Sequence, residues 1–541
     1  MTAPANGTTV SGTITLSANA ADNVGVAGVR FQIDGSPLGF EIGSPPFTTT
    51  WNTATVTNAV HTLTAIARDS AGNITTSAPV SVTVSNTSDP TVTGAWTAPF
   101  NWPLVAINMV VTRTGEVMSW DGPPSNGGTS AQLWNPNTGT FTPIPNNVTN
   151  MFCNAAVVLA DGRVLAIGGH ADWGVGVRNA DIFNPITKQW TFVAPMHYAR
   201  WYPTATVLPD GRVFTISGSD TCESCIVSIP EIYDPVSNSW TALTSAPFSV
   251  ALYPFMFVLP DGRLLEAGAT RALVGTRVLN INTQTWTVVD PNPRDGHTAV
   301  MYEPGKIMKS GSAADVNVST APAASTTFTL DMTQPSPTWQ QTPNMAFRRA
   351  YHNLTLLPDG TVLATGGGST KDGVNYANSV LAAEIWSPVT KTWSTLASMQ
   401  TGRLYHGTSV LLLDGRVLVA GSGRAGPEPQ FNAEIFSPPY LFKGPRPTIS
   451  STPGDATYGS TFFVGTPNAG SVTSVTLLRI SASTHSFDMD QRFLRLNFSP
   501  VAGGLNVTAP ANGNLAPPGY YALYILNSTG VPSVGAVIRI H

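Results

Sequence analysis

Apolar and polar residues alternate with a period of two along roughly the first 85 positions, the pattern of half-buried strands. Thr13-Ile14-Thr15-Leu16-Ser17-Ala18 and Gly28-Val29-Arg30-Phe31-Gln32-Ile33-Asp34 carry it, and Val80-Ser81-Val82-Thr83-Val84 closes it. Short strands punctuated by Gly, Pro and Asn turns predict an antiparallel β-sandwich over residues 1–88. The run Ser85-Asn86-Thr87-Ser88-Asp89-Pro90 reads as a linker by composition.

From about residue 93 the pattern repeats. An Asp-Gly turn followed by an apolar strand recurs at Asp161, Asp210, Asp261, Asp359 and Asp414, at intervals of 49, 51, 98 (twice 49) and 55 residues. Glu303-Pro304-Gly305-Lys306 is a weak copy inside the long interval, and Arg113-Thr114-Gly115-Glu116 precedes the series. Several copies continue through an aromatic-Asx/Ser-Pro turn to a Trp, as in Phe183-Asn184-Pro185 to Trp190 and Trp386-Ser387-Pro388 to Trp393. A period near 50 with Gly-Gly and a late Trp is the kelch signature, one four-stranded blade per repeat. The expectation is a seven-bladed β-propeller over 93–440. The repeat stops near Pro438-Pro439-Tyr440, and alternating strands such as Tyr520-Tyr521-Ala522-Leu523-Tyr524-Ile525 predict a second β-sandwich over 441–541.

Composition agrees with an all-β chain. Only 11% of residues are charged, against roughly 25% in ordinary domains, while 49 Gly and 44 Pro supply turns. A net charge of −4 offers no attraction to nucleic acid or an anionic membrane, and no apolar run reaches the roughly 20 residues of a membrane span. Met1-Thr2-Ala3-Pro4 opens no charged-then-apolar leader, so no signal peptide is expected in this sequence. The Thr/Ser/Asn-rich, Lys-poor composition points to a secreted, extracellular or periplasmic protein, and a monomer is expected. Of three cysteines, Cys222 and Cys225 could form a local disulfide, the preferred reading, or be free thiols, which leaves Cys153 to be explained.

Cys153 stands eight positions before Asp161, and Tyr202, Tyr253, Tyr351 and His406 stand eight before Asp210, Asp261, Asp359 and Asp414. In a propeller such equivalent positions form a ring about the axis. A Tyr at a blade entrance is, taken singly, more often a packed aromatic than a ligand; five such residues in one register favour chemistry. Imidazoles with phenolates suit Cu(II). Tyr405 precedes His406, and neighbours on a regular strand point to opposite faces, so both can serve one site only at an irregular strand entrance.

Met151-Phe152-Cys153, Arg200-Trp201-Tyr202-Pro203-Thr204, Arg403-Leu404-Tyr405-His406-Gly407 and Ser483-Thr484-His485-Ser486, followed by Asp490-Gln491-Arg492, resemble the motifs of the galactose oxidase/glyoxal oxidase family of copper radical oxidases. Pro518-Gly519-Tyr520-Tyr521 and Gly530-Val531-Pro532-Ser533 extend the resemblance to the C-terminal domain. It implies one copper held by Tyr202, Tyr405, His406 and His485, and a Cys153–Tyr202 thioether carrying a radical. Tyr405 is then the axial ligand and base, and His485 reaches the site on a loop inserted up the propeller's channel. The implied reaction oxidises a primary alcohol or small hydrated aldehyde with O2, giving H2O2. Residues 1–88 resemble bacterial Ig-like modules and are read as a spacer.

Departures from the family pattern bear on substrate. Asp220 stands where galactose-oxidising members stack a Trp on the modified tyrosine, with Trp201 or Trp173 as the alternative replacements, and Ser249 falls near the place of their substrate-binding Arg. Leu252-Tyr253-Pro254-Phe255-Met256-Phe257 is closer to the glyoxal oxidase branch, so small aldehydes or non-galactose alcohols are expected. His170, His197, His297 and His352 are read as structural or supporting. The competing reading is a non-catalytic secreted kelch propeller for binding or adhesion. The full set Cys153, Tyr202, Tyr405, His406 and His485 argues against it.

Overall fold

The turns that set the repeat are closed by their own side chains. In Asp161-Gly162-Arg163 the Asp161 carboxylate accepts the Arg163 backbone N–H at 3.0 Å and the Arg163 Nε at 2.7 Å. The same pair of bonds recurs at Asp210/Arg212, Asp261/Arg263 and Asp414/Arg416. The intervening Gly adopts φ near +85°, which costs a residue without a Cβ nothing. The structure, a computed structural model, describes residues 1–86, 89–122, 128–270, 272–313, 320–424 and 428–541. Thr87 and Ser88 of the expected linker lie outside the described residues.

The chain divides into two units, Met1–Asp89 and Pro90–His541. In the first, a six-stranded sheet is built around Val26–Ile33 and Val60–Asp69, and Thr13–Ala18 pairs with Phe47–Asn52 in a second sheet. Their inner faces meet in a core containing Leu16, Phe31, Trp51, Leu63 and Val82. Pro90, at the end of the expected linker, opens a single helical turn, Pro90–Thr93.

The second unit begins with seven antiparallel sheets of the blade type among the described residues. Their innermost strands are Asn108–Val111, Ala155–Val158, Thr204–Val207, Pro254–Val258, Thr298–Glu303, Ala350–Leu356 and Gly407–Leu411. Each touches the next and the last touches the first, closing the ring. The last blade is completed from the other end of the unit, where Ala95–Trp96 and Phe100–Asn101 pair with Asn432–Ser437. The late Trp of each repeat bolts blade to blade: the Nε1 of Trp190, Trp240 and Trp286 donates to the carbonyls of Ile144, Ala194 and Ala246 in the preceding blade.

The C-terminal strands form a five-stranded and a three-stranded sheet around Leu477, Leu505, Tyr521, Leu523 and Ile538. Between Val472–Arg479 and Phe493–Leu496 the chain leaves this sandwich. Ala482–Thr484 joins the first blade as an extra strand beside Asn108–Val111 and turns back through Phe487–Asp488. This hairpin touches the innermost strands of five blades, so it occupies the centre of the ring. Asp490, Gln491 and Arg492 fasten its base. Asp490 accepts the Val158 N–H, the Gln491 amide bonds Ala299 and Met301, and Arg492 donates to the Val258 carbonyl. The three residues thus bond backbone groups of three different innermost strands.

Candidate active site

Cys153, Tyr202, Tyr253, Tyr351 and His406 all have left-handed backbones, with φ of 60°, 65°, 48°, 62° and 66°. For a residue with a Cβ that conformation costs about 1–3 kcal/mol and survives only where surrounding structure enforces it. Buried ion pairs provide the enforcement in three blades. Arg200 bonds Glu231 at 2.8 Å and the Ser217 carbonyl at 2.7 Å; Arg349 bonds Glu384 at 2.8 Å and the Gly366 carbonyl at 2.6 Å. Arg403 lies 3.5 Å from Glu434 and donates to the Gly421 carbonyl. Sequence reasoning missed these pairs. Their signal is the recurring Glu-Ile-aromatic-X-Pro of Glu231, Glu384 and Glu434.

The left-handed turn at His406 resolves the geometry of its neighbour. The strand begins only at Gly407, and the Tyr405 and His406 rings stack at 3.8 Å and 27° instead of pointing apart. His406 Nδ1 faces the carbonyls of Gly423 and Arg424 at 2.8 and 3.1 Å. Carbonyls only accept, so Nδ1 carries the hydrogen and Nε2 keeps its lone pair.

His485 sits at the tip of the central hairpin, with φ of 46° followed by 68° at Ser486. Its Nδ1 lies 2.7 Å from the Thr484 hydroxyl, which donates its own hydrogen to the Ile107 carbonyl at 3.0 Å. Nδ1 must therefore be the donor here too. Nε2 is left with its lone pair, 3.6 Å from Cys153 Sγ. Both histidines are thus fixed in one tautomer by their outer nitrogen, the arrangement typical of metal-ligating imidazoles.

The donors converge. The Tyr202 and Tyr405 hydroxyls hydrogen-bond to each other, and the His406 and His485 rings lie 4.7 Å apart at 86°. Ligand atoms of Cys153, His406 and His485 all lie within 4.8 Å of one another, and all three residues are buried. Two phenols and two imidazole Nε2 atoms form an N/O set of the kind Cu(II) favours, so the residues present fit copper. Cys153 and Tyr202 meet at the same imidazole: the Tyr202 ring packs 4.7 Å from His485.

The remaining ring members line this centre. Tyr253 stacks on His485 at 4.5 Å and donates to the Asn154 carbonyl. Tyr351 packs edge-on to Tyr405 and against His297, which bonds Ser486 at 3.0 Å. Tyr351, Tyr405, His297 and Ser486, with Thr270, His406 and His485, line a small cavity. His352 bonds Ser310, and burial, with His297 and Arg349 nearby, holds its pKa well below the usual imidazole value. His197 pairs with Glu231 on the outside of the ion-pair network. His170 packs on Phe152 and Trp201, its pKa lowered by burial.

Trp201, not Trp173, contacts the central tyrosine: its ring stands 4.0 Å from Tyr202 at 72°. Trp173 lies one ring further out, 5.4 Å from Trp201. Asp220 serves through its backbone, bonding Gly176 and Cys225, and Ser249 is exposed. Cys222 and Cys225 form a disulfide in the loop that follows.

Residues 129–438 match the family model of the glyoxal oxidase N-terminus, more than half of the chain. The chain belongs to the glyoxal oxidase family. As a member it is a copper-dependent oxidase. Residues 446–540 match a galactose oxidase-like early set domain and residues 1–65 a bacterial Ig domain. Among its relatives are a galactose oxidase of Gibberella zeae, 29% identical over 83% of this chain and 70% of that protein. An aldehyde oxidase of Vitis pseudoreticulata is 29% identical over 75% of this chain and 84% of that protein. In fold, this glyoxal oxidase family member is similar to a fungal alcohol oxidase solved in complex with copper. The TM-score is 0.74 at 23% identity, over 83% of this chain and 99% of that one.

Proposed function

We propose that the protein is a mononuclear copper radical oxidase that turns small hydrated aldehydes or primary alcohols, with O2, into oxidised product and H2O2. The observation that carries this reading is the convergence of the Tyr202 and Tyr405 hydroxyls with the Nε2 atoms of His406 and His485, beside the buried Cys153 thiol. In this reading Tyr202, Tyr405, His406 and His485 hold one copper, which supplies one of the two electron acceptors that a two-electron oxidation requires.

Tyr202 supplies the other. Joining Cys153 Sγ to the Tyr202 ring forms one S–C bond and removes two hydrogens, which pass to O2 as H2O2. The sulfur substituent makes the phenol easier to oxidise, and burial shields the radical from solvent. Tyr405 takes the proton of the substrate hydroxyl. Its stack on His406 holds the ring in place for that transfer. A small cavity lined by Tyr351, Tyr405 and His297 lies beside the proposed ligands. Ser249 and Asp220, in place of the groups that galactose oxidation uses, favour small aldehydes and non-galactose alcohols. The Cys222–Cys225 disulfide supports an oxidising compartment, periplasmic or extracellular. The enzyme is proposed to act as a monomer.

The test is mass spectrometry of copper-loaded, aerated protein alongside a peroxide assay with small aldehydes and alcohols. A loss of two hydrogens mapped to the Cys153 and Tyr202 peptides, with peroxide release, is expected. An intact Cys153 thiol after copper loading would overturn the radical mechanism.

A further inference from the structure

Electron parity sets a problem for the chemistry just proposed, on which this inference rests. Alcohol oxidation delivers two electrons and O2 removes two, so a molecule that gains one stray electron leaves the cycle and neither reactant brings it back. Restoring it requires a one-electron oxidant. The centre is buried: Tyr202 and Cys153 have no exposed surface.

One line of contacting rings leads out. Trp201 stands 4.0 Å from Tyr202, and Trp173 stands 5.4 Å from Trp201. Trp201 is fully buried, whereas Trp173 is 51% exposed. Its position is built. Trp173 is the tip of a hairpin, His170–Asp172 with Val175–Gly176, whose Gly176 N–H donates to the Asp220 carbonyl at 2.9 Å. At Gly174, φ is +73° and a Cβ would lie 2.6 Å from the Glu223 backbone nitrogen, so the hairpin sits directly on the loop clipped by Cys222–Cys225.

We infer that Trp173 and Trp201 form an electron relay through which a cationic one-electron oxidant at the surface draws an electron from Tyr202. The oxidant takes an electron from Trp173 and is itself reduced. Trp201 refills Trp173, and Tyr202 refills Trp201, leaving the radical on Tyr202. As a metal ligand Tyr202 enters as phenolate, so an electron moves alone. The Trp201 Nε1–H has no hydrogen-bond acceptor among the described residues. An oxidised Trp201 therefore keeps its proton, remains strongly oxidising, and passes the deficit inward. The sign of the oxidant follows from the exposed carboxylate of Asp172, which accepts the Trp173 N–H at 2.7 Å. Attraction between exposed charges of this kind raises encounter rates and is screened by salt.

The test uses the copper-loaded, cross-linked protein in its one-electron-reduced form, with photogenerated tris(bipyridine)ruthenium(III) as oxidant, and follows radical absorption after a laser flash. Wild type should show a Trp radical that decays into the Tyr202 signal, at a rate that falls as salt is raised. Trp173→Phe, whose ring resists oxidation, should cut the yield of the Tyr202 signal at least tenfold. Trp173→Tyr should restore much of it, and Asp172→Asn should weaken the salt dependence. Trp173 lies at a surface turn, so an unchanged unfolding midpoint excludes a folding defect in its variants. A Tyr202 signal of wild-type rate and yield in Trp173→Phe overturns the relay. Absence of any Tyr202 signal in wild type, with the thioether missing by mass, overturns instead the radical reading beneath it.

Discussion

The backbone N–H of Tyr202 donates to the carbonyl of Cys153 at 2.9 Å, tying the entrances of two neighbouring blades at the residues proposed to form the thioether. The bond belongs to the backbone, so it survives loss of the thiol. Cys153→Ala should therefore keep the fold and bind copper through the remaining ligands. It should lose the two-hydrogen mass deficit and most of its oxidase activity, by a hundredfold or more. Intact-mass analysis, copper stoichiometry and the peroxide assay separate these effects. Wild-type turnover without the thiol would contradict the role given to Cys153.

Thr484 fixes the His485 tautomer by spending its only hydrogen on Ile107 and accepting from Nδ1. Thr484→Val keeps the shape and removes both bonds. Loss of such an outer partner typically costs about 10–100-fold in metal affinity. Copper titration of metal-free protein against a competing chelator should show weakening in that range, and Thr484→Ser should restore the affinity. Unchanged affinity in Thr484→Val would mean that the hairpin backbone alone orients the imidazole.

The propeller was legible because its code is local. An Asp that accepts from the residue two places on, with a Gly between, writes each turn into three consecutive letters, and the seven-bladed, all-β reading follows from their spacing. The candidate ligands were visible as a register of unusual residue types, together with the family resemblance. What spacing does not encode is backbone hand and distant pairing. Nothing in Tyr405-His406 by itself announces a φ of 66° at His406, which arises from the Arg403 network across the blade. Completion of the last blade by Ala95–Trp96 and Phe100–Asn101 joins segments more than 300 positions apart. The Trp201 and Trp173 alternatives were separable only by distance to Tyr202.

The Arg349–Glu384 pair should matter more for stability than any exposed pair. Both side chains are fully buried, and Glu384 also accepts the Ala346 N–H. Removing one partner leaves an uncompensated charge, at a cost of about 3–5 kcal/mol. Glu384→Gln should lower the unfolding midpoint markedly, while Asp161→Asn, in an exposed turn, should move it little. Thermal unfolding of the two variants side by side checks the contrast.

His352 predicts the acid limb of stability. Burial, with His297 and Arg349 nearby, keeps its folded pKa well below the ordinary value of 6.5. As pH falls through 6.5 the unfolded chain takes up a proton that the folded chain refuses, so stability is lost on acidification. The slope from one such group approaches about 1.4 kcal/mol per pH unit. Asp490 works in the opposite sense. Burial raises its carboxyl from 3.8 to about 6, so between those values the folded state holds the extra proton and gains stability as pH falls. A single wild-type curve therefore mixes the two, and a variant at His352 separates them. His352→Gln keeps a hydrogen-bonding group beside Ser310 but cannot titrate. Its unfolding free energy, measured between pH 7 and pH 5, should fall less steeply than that of the wild type. Parallel curves would show that His352 is protonated in the folded protein and that acid lability originates elsewhere.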